Sequence, residues 1–165
     1  MKKIIFIRHG RAEDDSPDLP DFERSLTIKG KNVSRLMAAK LKEKLKDIGI
    51  LITSPAFRAI ETALIFAGEY GIDAEKIVIN SNLYFRLDEK SFMALLKSIN
   101  EDLDTITLFG HNPSFTDLAG YYCEETCDVI SKSGIVCLSF NVRTWSEVKR
   151  NSGKLLLFLK PKKVL

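Results

Sequence analysis

Histidine is scarce in this 165-residue chain, which has only His9 and His111. The only thiols are Cys123, Cys127 and Cys137. Cys123 and Cys127 are spaced to share a helical face, but a four-ligand zinc site lacks obvious partners, so they are read as structural. Three is an odd number for a disulfide framework, and reduced thiols in a cytoplasmic protein are expected. No apolar run approaches a membrane span. The opening Met1-Lys2-Lys3 imitates a signal peptide, but Arg8 stops the apolar run at residues 4–7, too short for an h-region. Nor is there a large excess of one charge: the net charge is +3, with lysines dispersed over residues 29–46 and a tail holding Lys160, Lys162 and Lys163. Solvated faces account for these, and no nucleic-acid partner is expected. Repeats, linkers, low-complexity segments and a P-loop are absent as well. Asp14, Asp15, Asp18 and Asp21 lack the glycine and terminal glutamate of an EF-hand, so residues 11–25 are expected to be a solvated loop, which follows the strand end directly and could overhang a site there.

What is present is a soluble globular composition, 45% hydrophobic and 28% charged, of a length that suits one domain over residues 1–165. Ile4-Ile5-Phe6-Ile7 reads as a strand buried on both faces, running into Arg8-His9-Gly10. Thr27 precedes a helical pattern through Val33, Leu36, Met37, Leu41, Leu45 and Ile48, closed by Gly49. Residues 50–53 form a second strand, and Ser54-Pro55 opens a helix over 56–70 that is expected to bury Phe57, Ile60, Leu64 and Ala67 and to stop at Gly71. Residues 77–79 and 105–109 add strands, with a helix marked by Phe92, Leu95, Leu96 and Ile99 between them. Asn112-Pro113 repeats the cap-plus-proline pattern ahead of Phe115, Leu118, Ala119 and Tyr122. Residues 135–142 and 154–160 read as a terminal hairpin or two neighbouring strands. The alternation implies an α/β sheet with helices on both faces.

Three strand ends then carry one kind of chemistry. Arg8-His9-Gly10, Ser54-Pro55 with Arg58 one turn on, and Gly110-His111-Asn112 would lie along one edge of a parallel sheet. Two arginines, both histidines and two helix N-termini make a phosphate pocket. Singly, each has an ordinary structural role: His9 or His111 could hold a turn, and Arg58 could pair with Glu61 or Glu69 on its own helix.

These segments, together with Ser54-Pro55-Ala56-Phe57-Arg58-Ala59-Ile60-Glu61-Thr62 and Ser25-Leu26-Thr27-Ile28-Lys29-Gly30, resemble the histidine phosphatase superfamily, also described as phosphoglycerate mutase-like. The resemblance runs in order through most of the chain, and the short length is similar to that of the SixA-type phosphohistidine phosphatases. It implies a three-layer α/β sandwich with a mostly parallel central sheet. It implies that His9 is the nucleophile, that Arg8, Arg58 and His111 surround the phosphoryl group with help from Asn112, and that Gly10 and Ser54 support the site. His111 would serve as a cation, its pKa raised by the bound dianion. No metal or other cofactor is required.

Larger members of the family carry a carboxylate general acid shortly after the third strand. In the corresponding stretch here, residues 81–89, the first acids are Asp88 and Glu89. Either reaches the site or caps the next helix, and capping is the expectation. Without an acid, phosphohistidine is a better substrate than a sugar phosphate, because imidazole is the weaker leaving base. The expected partner is therefore a phosphohistidine protein or another activated phosphate, handled by a cytoplasmic monomer. The alternatives are a small-molecule phosphomonoesterase and a non-catalytic phosphate- or phosphoprotein-binding module.

Overall fold

A computed structural model describes residues 1–125 and 128–162. The suggested pairing of Cys127 with Cys123, and the tail position of Lys163, lie outside the described residues. Strand β1 (Lys2–Arg8) is central, with Ile4, Ile5, Phe6 and Ile7 fully buried. Each such side chain stabilises the fold by about 2 kcal/mol of transfer free energy. The other strands are β2 (Ile50–Thr53), β3 (Val78–Ile79), β4 (Thr105–Gly110), β5 (Ile135–Phe140) and β6 (Gly153–Leu159). They form one six-stranded sheet in the order β3-β2-β4-β1-β5-β6. β3, β2, β4 and β1 are mutually parallel, while β5 runs antiparallel to both β1 and β6. The expected terminal hairpin is therefore present, and the sheet is mixed.

Helices α1 (Ile28–Lys44) and α2 (Phe57–Tyr70) cover one face; α3 (Glu89–Ser98) and α4 (Ser114–Tyr122) cover the other. β1 divides its side chains between them. Ile5 and Ile7 pack with Met37, Leu41 and Phe66, whereas Ile4 and Phe6 pack with Phe92, Phe115 and Leu118. This is the three-layer α/β sandwich implied by the alternating pattern. Among the described residues, no helix is long and apolar enough to cross a membrane.

Several local expectations need correction. α1 starts as expected, with Thr27 Oγ1 accepting from the Gly30 N–H, but it ends at Lys44, with Leu45 as its cap. Gly49 lies beyond it at φ +62°, where a Cβ would collide with the Thr105 carbonyl. It thus fits the entry to β2 rather than the end of α1. Leu36 points to solvent. In α2 the buried face is Arg58, Ala59, Thr62, Ala63, Phe66 and Ala67, so Phe57 and Leu64 are exposed. Small residues let α2 lie close to the sheet, and this rotation turns Arg58 and Thr62 inward. Ser54 Oγ accepts from the Ala56 N–H, and Ala56 rather than Ser54 is the helix cap. Gly71 closes α2 in the left-handed conformation, as expected. Pro113, joined to Asn112 by a cis peptide, occupies the cap of α4, and the Asn112 side chain is used elsewhere.

Sheet register fixes the site. Arg8 lies beside Gly110, and Thr53 beside Phe109. The residues that follow each strand (His9, Ser54 and His111) therefore leave the sheet side by side.

Candidate active site

His9 leaves β1 with its N–H donating to the Gly110 carbonyl at 3.1 Å. Gly10 is required next to it by close approach, since a Cβ would sit 2.6 Å from Ser34 Oγ and 3.1 Å from both the Gly30 carbonyl and Ser133 Oγ. The Gly10 N–H donates to Thr62 Oγ1 at 3.1 Å, and Thr62 Oγ1 donates to the Arg58 carbonyl at 2.7 Å. One turn of α2 is thereby fastened to the end of β1.

The imidazole of His9 lies 2.7 Å from the Gly10 carbonyl through Nδ1. A carbonyl only accepts, so Nδ1 carries the proton, and in the neutral ring Nε2 keeps its lone pair. Burial pushes the His9 pKa down to about 3; its hydrogen bond to Gly10 opposes this, and His111, Arg58 and Arg8 add to the lowering. The ring is neutral at physiological pH.

His111 lies beside His9, with ring centroids 5.1 Å apart, and its Nε2 is 2.7 Å from Ser54 Oγ. Burial and then Arg58 push its pKa down to about 4, with Asp21 opposing. The cationic state implied by the resemblance is therefore not that of the unliganded protein. A bound dianion would have to supply the missing stabilisation.

Arg8 is anchored through one terminal nitrogen and Arg58 through both. Arg8 Nη1 donates to the Ile130 carbonyl at 3.0 Å, and Asn112 Nδ2 donates to the same oxygen at 2.9 Å. Arg58 is buried and pairs with neither Glu61 nor Glu69. Its Nη1 donates to the Asp21 carbonyl at 2.7 Å and its Nη2 to Asp21 Oδ2 at 3.0 Å. The Nε atoms of Arg8 and Arg58 are both buried without a hydrogen-bond partner. Leaving two such cationic donors unmet is costly.

Arg8, His9, Arg58, His111 and Asn112 line one cavity of 510 Å³. Gly10 and Ser54 stand behind it, contributing the backbone turn and the His111 contact. Asp88 does not line it: its side chain accepts from the Ser91 N–H at 2.8 Å and caps α3. Glu89 lies in the first turn of that helix and does not line the cavity either.

Residues 4–84 match the model of the histidine phosphatase superfamily, branch 1. The chain is also 30% identical over 119 residues to an uncharacterised protein of Picosynechococcus sp., covering 71% of this chain and 70% of that one. The chain belongs to the histidine phosphatase superfamily. Members of this superfamily are phosphatases, and phosphatase chemistry is the coarse assignment that membership carries. Solved histidine phosphatase structures agree with the fold. The protein histidine phosphatase SixA complexed with tungstate matches with a TM-score of 0.80 at 25% identity, over 96% of this chain and 97% of that one. A putative phosphohistidine phosphatase SixA of Agrobacterium tumefaciens gives a TM-score of 0.80 at 20% identity, over 97% and 98% of the two chains. A mycobacterial glucosyl-3-phosphoglycerate phosphatase with inorganic phosphate gives 0.66 at 13% identity, over 95% and 96%.

Sequence reading did not single out Arg24, Tyr84 or Lys132, which line the cavity together with Asp21 of the acidic loop. Asp21 belongs to the loop expected to be solvated and able to overhang a site, and its carboxylate is a hub. Oδ1 accepts from Arg24 Nε at 3.1 Å and Nη2 at 2.7 Å; Oδ2 accepts from Arg58 Nη2 and, at 2.7 Å, from the Tyr84 hydroxyl. Partial burial pushes the carboxyl up, but hydrogen bonds from Tyr84, Arg24 and Arg58 outweigh it and hold Asp21 well below the usual carboxylate range. The same bond, followed by burial, raises the Tyr84 phenol. The spacing of Asp21 and Arg24, just ahead of the motif at 25–30, was the available signal.

Proposed function

We propose that the protein is a phosphohistidine phosphatase that carries the phosphoryl group on His9 and then transfers it to water. In this reading the His9 Nε2 lone pair attacks phosphorus. The N–P bond forms as the bond to the leaving group breaks, and a proton passes to the leaving group. Water then attacks the phosphorus of phospho-His9, the N–P bond breaks, and the imidazole is restored with inorganic phosphate released. Arg8 and Arg58 stabilise the charge on the equatorial oxygens, His111 joins them as it takes up a proton, and Asn112 borders the same oxygens. These side chains supply the positive charge, so the scheme calls for no metal.

The observation that carries the reading is the pairing of a His9 tautomer whose Nε2 keeps its lone pair with two arginines, Arg8 and Arg58, that line the same cavity. A binding module would need the arginines but has no use for a neutral nucleophile with that tautomer fixed. Substrate choice rests on the leaving group. Glu13, Asp14, Asp15 and Asp21 line the cavity, and Asp21 is held ionised. Asp88 is occupied as a cap, so a weakly basic imidazole leaves more readily than an alkoxide. The reading takes residues 1–165 as one catalytic domain working as a monomer in the cytoplasm; Cys137, a buried thiol without a disulfide, agrees with a reducing setting.

The test is hydrolysis of a phosphohistidine-bearing protein and of an aryl phosphate, without added metal, by the wild type and His9→Ala. The wild type is expected to act on both substrates and His9→Ala on neither, with acid avoided because the N–P bond is acid-labile, so that ³²P-labelled phospho-His9 is trapped at alkaline pH. Phosphate binding without turnover by the wild type would show a receptor instead.

A further inference from the structure

The mouth of the cavity carries features that phosphoryl transfer does not use. Phe22, Phe57 and Phe85 are exposed to 45%, 44% and 68% of their surface. Each is the chain neighbour of a residue lining the cavity: Phe22 follows Asp21, Phe57 precedes Arg58, and Phe85 follows Tyr84. They are also tied together. The Phe22 and Phe57 rings meet edge-on at 6.3 Å, Phe85 meets Tyr84 at 5.2 Å, and Tyr84 is bonded to Asp21. Single exposed apolar side chains are ordinary, but a group of aromatics around a polar cleft marks a surface for a macromolecule.

Charge adds a second, independent feature. Arg58 is buried and Arg8 half-buried, whereas Glu13, Asp14 and Asp15 are exposed at the lip, where they outnumber the exposed cation Lys132. Arg24 is engaged by Asp15 at 3.3 Å and by Asp21, which offsets Asp15 in part and leaves Glu13 and Asp14 as the lip carboxylates that it does not pair. A small polyanion approaching this mouth meets carboxylates first. A phosphoryl group carried among positive charges meets attraction at the lip and again at the floor.

Building on the proposed function, we infer that Phe22, Phe57 and Phe85, with the acidic lip, form the docking surface for the substrate protein. That protein presents its phosphohistidine between apolar and basic side chains. The aromatic rings give contact area at low entropic cost, and the lip sets orientation.

The experiment uses peptides carrying one phosphohistidine flanked either by leucine and lysine or by serine and glutamate, with an aryl phosphate as the small substrate. The wild type is expected to show kcat/KM about tenfold or more higher for the leucine–lysine peptide, as removing a few interface anchors commonly costs that much or more. The triple variant Phe22→Ala/Phe57→Ala/Phe85→Ala should lose that advantage through KM and keep aryl phosphate turnover within about twofold. Because the rings are exposed, its melting temperature should stay close to that of the wild type. Binding of both peptides to His9→Ala, with and without the triple substitution, is measured in parallel. Ring-dependent binding of the leucine–lysine peptide with no hydrolysis by the wild type would sustain the docking surface and sink the phosphatase reading. Hydrolysis with equal kcat/KM for both peptides, or with no effect of the triple variant on them, would sink the docking surface and leave the phosphatase reading standing.

Discussion

Arg58 Nη2 donates to Asp21 Oδ2 at 3.0 Å while Arg58 Nη1 donates to the main-chain carbonyl of the same residue at 2.7 Å. One residue of the loop between β1 and α1 thus sets the plane of the guanidinium at the wall of the cavity. Replacing Asp21 by Ala should free that plane. The expected result is a fall in kcat/KM for an aryl phosphate of about tenfold or more, the usual range for loss of an orienting partner. Tyr84→Phe removes one of the four hydrogen bonds received by the Asp21 carboxylate and should produce a smaller fall. A rise in activity for Asp21→Ala would mean instead that the carboxylate competes with the phosphoryl group for Arg58.

The two histidines give a pH prediction with a definite sign. Their pKa values, about 3 for His9 and about 4 for His111, lie below the ordinary imidazole value of 6.5. Side-chain NMR of the unliganded protein should show neither ring titrating near neutrality. Adding phosphate or tungstate should move the His111 midpoint upward, since a dianion favours the cation. Between pH 6.5 and 4 the unfolded chain binds more protons at these positions than the folded one, so stability falls as the pH is lowered. Each unit of difference corresponds to about 1.4 kcal/mol. Asp21 acts in a separate window. Its folded pKa is depressed, so its contribution is present above the unfolded carboxyl value and is lost only in stronger acid. Denaturant unfolding of the wild type and His111→Ala across this range should show a shallower slope in the variant between pH 6.5 and 4. An unchanged slope would show that His111 is not buried in its neutral form.

Asp88 separates the two roles open to it in the sequence. Its carboxylate is spent on the Ser91 N–H, and that bond keeps it ionised, which suits a cap and not a proton donor. Asp88→Ala should lower the melting temperature modestly. It should leave kcat/KM for phosphohistidine and aryl phosphate substrates within about twofold, because a lost cap acts on stability and not on the transition state. A large loss confined to substrates with poor leaving groups would restore Asp88 as the acid.

The strands were legible because each is a short apolar run, and the core of the site was legible because it stands at strand ends. Arg8, His9, Arg58, His111 and Asn112 are all found in one cavity on that account. What failed was the rotation of helices about their axes. Phe57 and Leu64 look more hydrophobic than Ala59 and Ala63, yet closeness to the sheet, and not hydrophobicity, decides which side of α2 is buried. Asn112 followed by Pro113 imitates a cap, but both ends of its amide are engaged, by the Ile130 carbonyl and Thr116 Oγ1. The Asp21 hub was hidden for another reason. Its partners Arg58 and Tyr84 are 37 and 63 positions away, and nothing local in an acidic loop reports contacts of that length.

Gly30 supplies the last prediction, because two rules oppose each other there. Replacing a glycine inside a helix by alanine ordinarily stabilises it by about 1 kcal/mol. Gly30 lies in the first turn of α1, where Thr27 N–H donates to the Arg11 carbonyl at 2.9 Å. A Cβ on Gly30 would lie 2.1 Å from that same carbonyl oxygen and 3.0 Å from the Arg11 nitrogen. Both are backbone atoms that cannot swing aside, so steric overlap outweighs helix propensity. Gly30→Ala should destabilise the protein by roughly 1–3 kcal/mol, the range for overpacking a tight contact. The strain should also travel along Arg11 and Gly10 to His9, lowering kcat for an aryl phosphate even at temperatures where the variant is fully folded. Gly68→Ala is the control, since it lies in α2 with open space around its Cβ position. It should gain stability and keep full activity. If both variants gain stability, the contact between α1 and Arg11 is looser than its geometry indicates, and the first turn of α1 does not position His9.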